Sequence, residues 1–171
     1  MNLQADDFTL FDLPRQFAQD RVVLDQRWKA LQREAHPDKF AAQGESAQRI
    51  AMQWSVRINE AYQRLKDPLQ RAAYLCELAG HPLHAHSNTT MPAAFLMQQM
   101  EWREALEEAD SPEILEQLWQ DVTVAKKTAV QQCADLLDAQ EQPAAAVAVV
   151  RSLMFIEKLL QEIQTRMDAF A

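Results

Sequence analysis

The side chains able to do acid–base or metal chemistry are few and fall in two groups. His36, Pro37 and Asp38 stand in the stretch EAHPDKF, and His81, His84 and His86 stand in HPLHAHSNTTM. An imidazole two positions from a carboxylate can work as an acid–base dyad. Joined to the second histidine group, it would make a small metallohydrolase centre, and the purified protein would then carry metal. Yet no nucleophile or Gly-rich turn accompanies His36 and Asp38. A metal site needs a third and a fourth ligand, and none lies at helical spacing nearby. A histidine-bearing segment bounded by prolines is more simply a solvated connection. A Pro-Asp pair can also end a helix without further purpose. Taken alone, the tripeptide decides little between a dyad, a metal ligand set, a contact surface and a plain helix stop.

Composition removes other classes. The chain has 171 residues, enough for one ordinary domain or two small ones. It is 48% hydrophobic and 25% charged, the balance of a soluble globular protein. Its only glycines are Gly44 and Gly80, too few for a phosphate-cradling loop or a dinucleotide fingerprint. The net charge of −8 argues against binding nucleic acid, because an acidic surface repels phosphate. Cys76 and Cys133 form no CxxC pair, so two buried, reduced thiols are expected rather than a disulfide framework or a zinc site. MNLQADDFTLF lacks a basic segment followed by an apolar run, and no stretch reaches membrane-spanning length. The expected location is cytoplasmic, away from any membrane.

The elements that must position these residues are helices almost throughout. Leu24, Trp28, Leu31 and Ala35 form one face of a helix over Asp20 to Ala35, whose other sides carry Arg21, Arg27, Lys29 and Arg33. Ile50, Trp54, Ile58, Ala61 and Leu65 mark a second helix over Glu45 to Lys66, broken by Asp67-Pro68. A shorter helix over Leu69 to Ala79 ends at Gly80, a common left-handed cap. Upstream, Phe8, Leu10, Phe11 and Leu13 form a short apolar element closed by Pro14. The polar, aperiodic stretch His81 to Met91 is expected to link two helical units. Beyond it, one helix runs from Pro92 to Ala109, and Ser111-Pro112 caps and opens the next. Leu115, Leu118, Val122, Ala125, Ala129 and Leu136 stripe that helix. Ala146, Val150, Leu153, Ile156, Leu160, Ile163, Met167 and Phe170 form the seam of the last. Trp28, Trp54 and Trp102 fit core stripes.

Pro37 disfavours helical geometry at His36, so the first long helix ends there and Lys39 to Gly44 is expected to be a loop. An HPD loop between two antiparallel amphipathic helices resembles the J-domain of DnaJ-type co-chaperones. DDFTLFDL looks like that family's opening helix. In INEAYQRLKDPLQRAAY, Ile58, Ala61, Tyr62 and Leu65 match core positions, while Asp67, Arg71 and Tyr74 match the closing motif. The resemblance covers residues 1 to about 80. It implies that His36, Pro37 and Asp38 dock on a DnaK-type chaperone's ATPase domain, with Lys29 and Arg33 meeting acidic partner surface. The chain would then be an activator of a partner's ATP hydrolysis and not an enzyme itself. Two departures stand out. Asp25 and Ala30 fill positions often basic in J-domains, which hints at a dedicated partner. Asp12 stands where a small residue usually ends the first helix.

Residues 92 to 110 carry a second signal. On a helical wheel Phe95, Trp102, Leu106 and Ala109 share one side, while Leu96, Met97, Met100, Glu101, Glu104 and Glu108 fall opposite. An outward apolar patch continued by carboxylates marks a partner site, and flexible Met side chains suit an adaptable one. Phe155, off the seam of its helix, can extend it. FLMQQMEWREALEE and RSLMFIEKLL resemble the C-terminal domain of the HscB family, the J-proteins of iron–sulfur cluster assembly. FTLFDLP and HPDKF extend that likeness along nearly the whole chain. There is no Gly/Phe-rich segment and no CxxC repeat as in general DnaJ proteins. The likeness implies that Leu96, Met97, Met100 and Phe155 are apolar contacts to an IscU-type scaffold protein, with Glu101, Glu104 and Glu108 pairing with its basic residues. The scaffold would be delivered to an HscA-type chaperone.

The expected fold is all-α. A J-domain over residues 1–80 (an antiparallel helical hairpin with the HPD loop) is joined by a linker over 81–91 to a three-helix bundle over 92–171, with no cofactor. The nearest rival is a general DnaJ-like co-chaperone for unfolded clients.

Overall fold

Three helices start on a polar side chain that accepts from an otherwise orphaned amide. Asp6 accepts from the Thr9 amide at 3.0 Å, Asp20 from Val22 at 2.9 Å and Ser111 from Ile114 at 3.4 Å. In the computed structural model, which describes residues 2–83 and 91–171, these caps begin α1 (Asp7–Leu10), α2 (Arg21–Ala35) and α6 (Pro112–Ala134). The other helices are α3 (Glu45–Lys66), α4 (Pro68–Leu78), α5 (Ala93–Glu108) and α7 (Pro143–Asp168). No strand occurs among the described residues. The fold is all-α, as expected.

The chain divides into two compact units, Met1–Leu75 and Cys76–Ala171, with the division inside α4. The sequence places the end of the first domain at residue 80 and the linker at 81–91.

In the N-terminal unit, Leu24, Ile58, Ala61, Leu65, Phe8 and Phe11 are all 1% exposed or less and make the core of an α2–α3 hairpin closed by α1. Trp28 stacks on Tyr62 with ring centroids 4.5 Å apart, and its indole N–H donates to Asn59. Ile50, assigned to the core stripe of α3, is 53% exposed; Ala51 takes the buried place in that turn. The segment after His36 is not a plain loop. Pro37–Gln43 winds as a 3-10 helix, and Gly44 (φ +96°) then opens α3, a backbone position that favours glycine.

Asp7 is wholly buried, and its carboxylate meets Arg57 at 2.8 Å and Arg64 at 2.6 Å. Its amide donates to the Tyr74 hydroxyl at 2.9 Å, while burial pushes the Tyr74 phenol pKa up. This fastens α1 to α3 and α4. Asp12 ends the first helix at φ +52°, and the Leu13 amide closes back on the Phe8 carbonyl. That left-handed position is the reason a small residue suits it.

In the C-terminal unit α5, α6 and α7 form the expected three-helix bundle. Leu115, Val122, Ala146, Val150, Leu153, Ile156 and Ile163 are buried along its axis. Phe170, assigned to the seam, lies past the end of α7 and is exposed, and Met167 is only half-buried. A π-helical turn, Asp135–Ala139, extends α6 before Glu141 reverses the chain at φ +51°. Gly80 (φ +86°) closes α4 with the His81 amide bonded to the Cys76 carbonyl. Cys76 and Cys133 are buried free thiols; burial pushes them up to about 11 and about 12. Met91, placed by sequence in the linker, is buried. Arg151 donates to the Leu83 carbonyl at 2.8 Å, so His81–Leu83 is held against α7. The rest of the expected linker, residues 84–90, lies outside the described residues.

Candidate functional site

His36 ends α2 in extended geometry (φ −61°, ψ 128°), as the following proline demands, and begins the 3-10 turn. Its Nδ1 accepts from the Asp38 amide at 3.2 Å. The neutral imidazole therefore carries its proton on Nε2. The Asp38 carboxylate lies 3.6 Å from Nδ1, and its side chain is 91% exposed. Both groups face water, a geometry suited to contact rather than to a shielded proton transfer. Of the second histidine group, His84 and His86 lie outside the described residues, so no metal geometry can be read for them. Among the described residues no three His, Cys, Asp or Glu side chains are arranged to hold an ion.

Lys29 and Arg33 are exposed one turn apart on α2, on its outer side. Asp25, whose acidic character departs from the usual pattern, has a local partner. The Tyr62 hydroxyl donates to it at 2.7 Å and Arg21 at 2.9 Å, in that order the causes that hold its carboxyl below the usual range. Its charge is absorbed in pinning α2 to α3. This gives Asp25 a structural reason, independent of any dedicated partner.

On α5, Trp102, Leu106 and Ala109 are buried and Phe95 is half-buried, with its ring edge-on to Trp102 at 6.4 Å. The opposite face is bare: Leu96 is 45% exposed, Met97 64% and Met100 71%. Glu101, Glu104 and Glu108 are exposed beside them, and Phe155 projects from α7 with 43% of its surface exposed. Leu96, Met100 and Phe155 meet along an open groove of about 620 Å³ between α5 and α7. The structure brings these residues together. Met97 and the carboxylates Glu101 and Glu108 flank the groove rather than line it. Gln99, Arg103 and Glu107 also line it, and sequence reading missed them. Their signal was present: positions 96, 99, 100, 103 and 107 share one flank of a helix.

The comparisons with known proteins fit both halves. Residues 91–164 match the family model described as the HSCB C-terminal oligomerisation domain, a span that includes α5 and Phe155. A protein of Burkholderia vietnamiensis described as a co-chaperone protein HscB homolog is 45% identical, covering 98% of this chain and 97% of its own. The Bordetella petrii homolog is 47% identical over 94% of this chain and 96% of its own. The chain belongs to the HscB co-chaperone family.

Solved HscB structures agree. That of Vibrio cholerae HscB superposes with a TM-score of 0.84 at 38% identity, covering 98% of this chain and all of that one. Human HscB gives a TM-score of 0.91 at 26% identity, covering 97% of this chain and 84% of that one. Membership makes the chain a J-protein co-chaperone of iron–sulfur cluster assembly, and its N-terminal unit is the J-domain. No described helix is long and apolar enough to cross a membrane.

Proposed function

We propose that this HscB-family protein carries an IscU-type scaffold protein to an HscA-type chaperone and stimulates that chaperone's ATP hydrolysis, assisting cluster transfer. The supporting observation is the bare face of α5, where three large apolar side chains and Phe155 meet beside a row of carboxylates. Such a face on a single chain is uncommon unless a partner covers it. Leu96, Met97, Met100 and Phe155 supply apolar anchors, and Glu101, Glu104 and Glu108 attract basic side chains of the scaffold. His36, Pro37 and Asp38 dock on the chaperone, with Lys29 and Arg33 steering acidic surface toward the loop. The reaction is the chaperone's, so this chain acts as an activator in the cytoplasm without turnover of its own. Holding scaffold and chaperone through one chain raises their effective concentration without tight binding at either contact.

The test is a steady-state ATPase assay with purified HscA-type chaperone and scaffold. The protein should stimulate hydrolysis, while His36→Gln and Asp38→Asn abolish the stimulation and leave the fold intact. Stimulation that survives either change removes the loop's role. Equal stimulation of a general DnaK-type chaperone by unfolded clients would favour the broader co-chaperone reading instead.

A further inference from the structure

The seam between α5 and α7 holds one feature that the proposed scaffold contact does not use. Arg103 crosses it as a fork, with Nη1 donating to one Glu162 oxygen at 2.5 Å and Nη2 to the other at 3.4 Å. We propose that Arg103, clamped by Glu162, is a positioning residue for the α5–α7 groove: it sets the register that places Phe155 beside Leu96 and Met100. The inference rests on the scaffold-binding reading for its consequence, though not for its geometry.

The argument is one of register. Arg103 and Glu162 are 59 positions apart, the same offset that separates Leu96 from Phe155. The two pairs lie seven residues apart along each helix, about two turns, and Leu96 and Phe155 line the same groove as Arg103, so the Arg103–Glu162 bond and the groove share one alignment of the helices. Arg166 supports the same alignment farther on, donating to the Leu106 and Ala109 carbonyls at 3.0 Å each and so capping α5. Apolar anchoring of α5 is sparse. Within the helix only Trp102 and Leu106 are buried, and shape alone resists sliding weakly on so few contacts. Directional bonds must then set the register, and a bidentate guanidinium–carboxylate pair is the directional bond that also fixes orientation.

Position supports the same role. Arg103 lines the groove with Leu96, Met100 and Phe155, and it also lines a second groove along the same seam with Lys158, Gln161 and Thr165. It stands where one becomes the other. Its charge goes to Glu162 on the neighbouring helix and not to Glu107 one turn along its own. Among the described residues no ion pair involves Glu101, Glu104 or Glu108. The pair is about two-fifths exposed, so little stability is expected from it, and its effect lies in alignment.

Two measurements on the full chain test this, one of them without any partner. In Leu96→Cys/Phe155→Cys protein, the rate of disulfide formation under mild oxidant reads the cross-helix alignment, since Cys76 and Cys133 are buried. Adding Arg103→Ala should slow it about fivefold or more, because a bridge needs close, well-aligned Cβ atoms. Scaffold titration is the second. Arg103→Ala and Glu162→Ala should each weaken affinity about fivefold to tenfold, and the exchanged pair Arg103→Glu/Glu162→Arg should restore it to within about twofold. Unchanged disulfide rate overturns the proposal, whatever the affinity does. Weakened affinity that the exchanged pair fails to restore also overturns it, because Arg103 would then touch the partner directly. If the unaltered protein binds no scaffold while Arg103→Ala still slows the disulfide, the scaffold reading fails and the register role stands.

Discussion

The two contact surfaces of this chain are built on opposite plans. The HPD segment is short and polar, wound into a single 3-10 element, and stands on a unit whose first helix is tied down through a buried carboxylate between two arginines. The α5 face is regular, apolar and Met-rich, and stands on a helix with few buried residues. A short polar turn that buries no side chain of its own depends on the frame beneath it to hold its place. An apolar helical face has its shape already and gains affinity from area and adaptability. The rigid frame and the adaptable face therefore call for different kinds of disruption.

The largest expected effect is on the frame. Asp7→Asn keeps the volume and removes the buried charge, so that the partly exposed Arg57 and Arg64 lose the carboxylate they share. The N-terminal unit should lose roughly 3–5 kcal/mol, measured by urea unfolding followed through Trp28 and Trp54. The C-terminal unit, followed through Trp102 and Trp119, should hardly respond. A loss below 1 kcal/mol in the N-terminal unit would mean the ion triad is not what secures α1.

The C-terminal unit has its own sensitivity, to alkali. Cys76 and Cys133 are held protonated by burial, so the folded state keeps protons that the unfolded chain releases. Raising the pH from the ordinary thiol value of 9.0 toward about 11 and about 12 therefore lowers stability. For Cys76 the loss amounts to about 3 kcal/mol at its far end. Below pH 9 the contribution is fully present. Unfolding measured across this range should show the slope, and Cys76→Ala should reduce it; an unchanged slope would assign the alkaline loss to other groups.

The α5 face should behave in the reverse way. Replacing Leu96, Met100 or Phe155 with Ala should cost about 1 kcal/mol or more each in scaffold binding. Folding stability should shift by no more than about 0.5 kcal/mol, because these side chains are exposed in the free protein. Calorimetric titration beside urea unfolding separates the two. Lost stability with unchanged binding would show that the face packs within the chain.

This contrast also explains what was legible beforehand. Periodicity located α3 and the α5 face because each rests on residues three and four apart, a local pattern. The buried Asp7 was invisible, since its partners lie 50 and 57 positions away and an acidic residue in a first turn reads as a surface feature. The register pair Arg103–Glu162 was hidden for the same reason. Ile50 and Phe170 were misplaced because a stripe continues in sequence after the neighbouring helix has stopped covering it. Asp25 looked like a sign of a special partner until Tyr62, 37 residues away, was found to hold it.

The smallest prediction concerns Asp12. Its backbone sits at φ +52°, and its carboxylate is only 3.7 Å from Arg27 with 89% of the side chain exposed. A surface pair of that kind contributes little. The left-handed backbone carries a steric cost for any side chain, which glycine avoids, while glycine also adds freedom to the unfolded chain. The first term acts at this one position directly, and the helix-ending bond from Leu13 to Phe8 already holds the turn in place. Asp12→Gly should therefore raise the stability of the N-terminal unit by about 0.5 kcal/mol. It should leave scaffold binding untouched. A loss of stability instead would mean that the Arg27 pair, weak as its geometry is, contributes more than the backbone strain it accompanies.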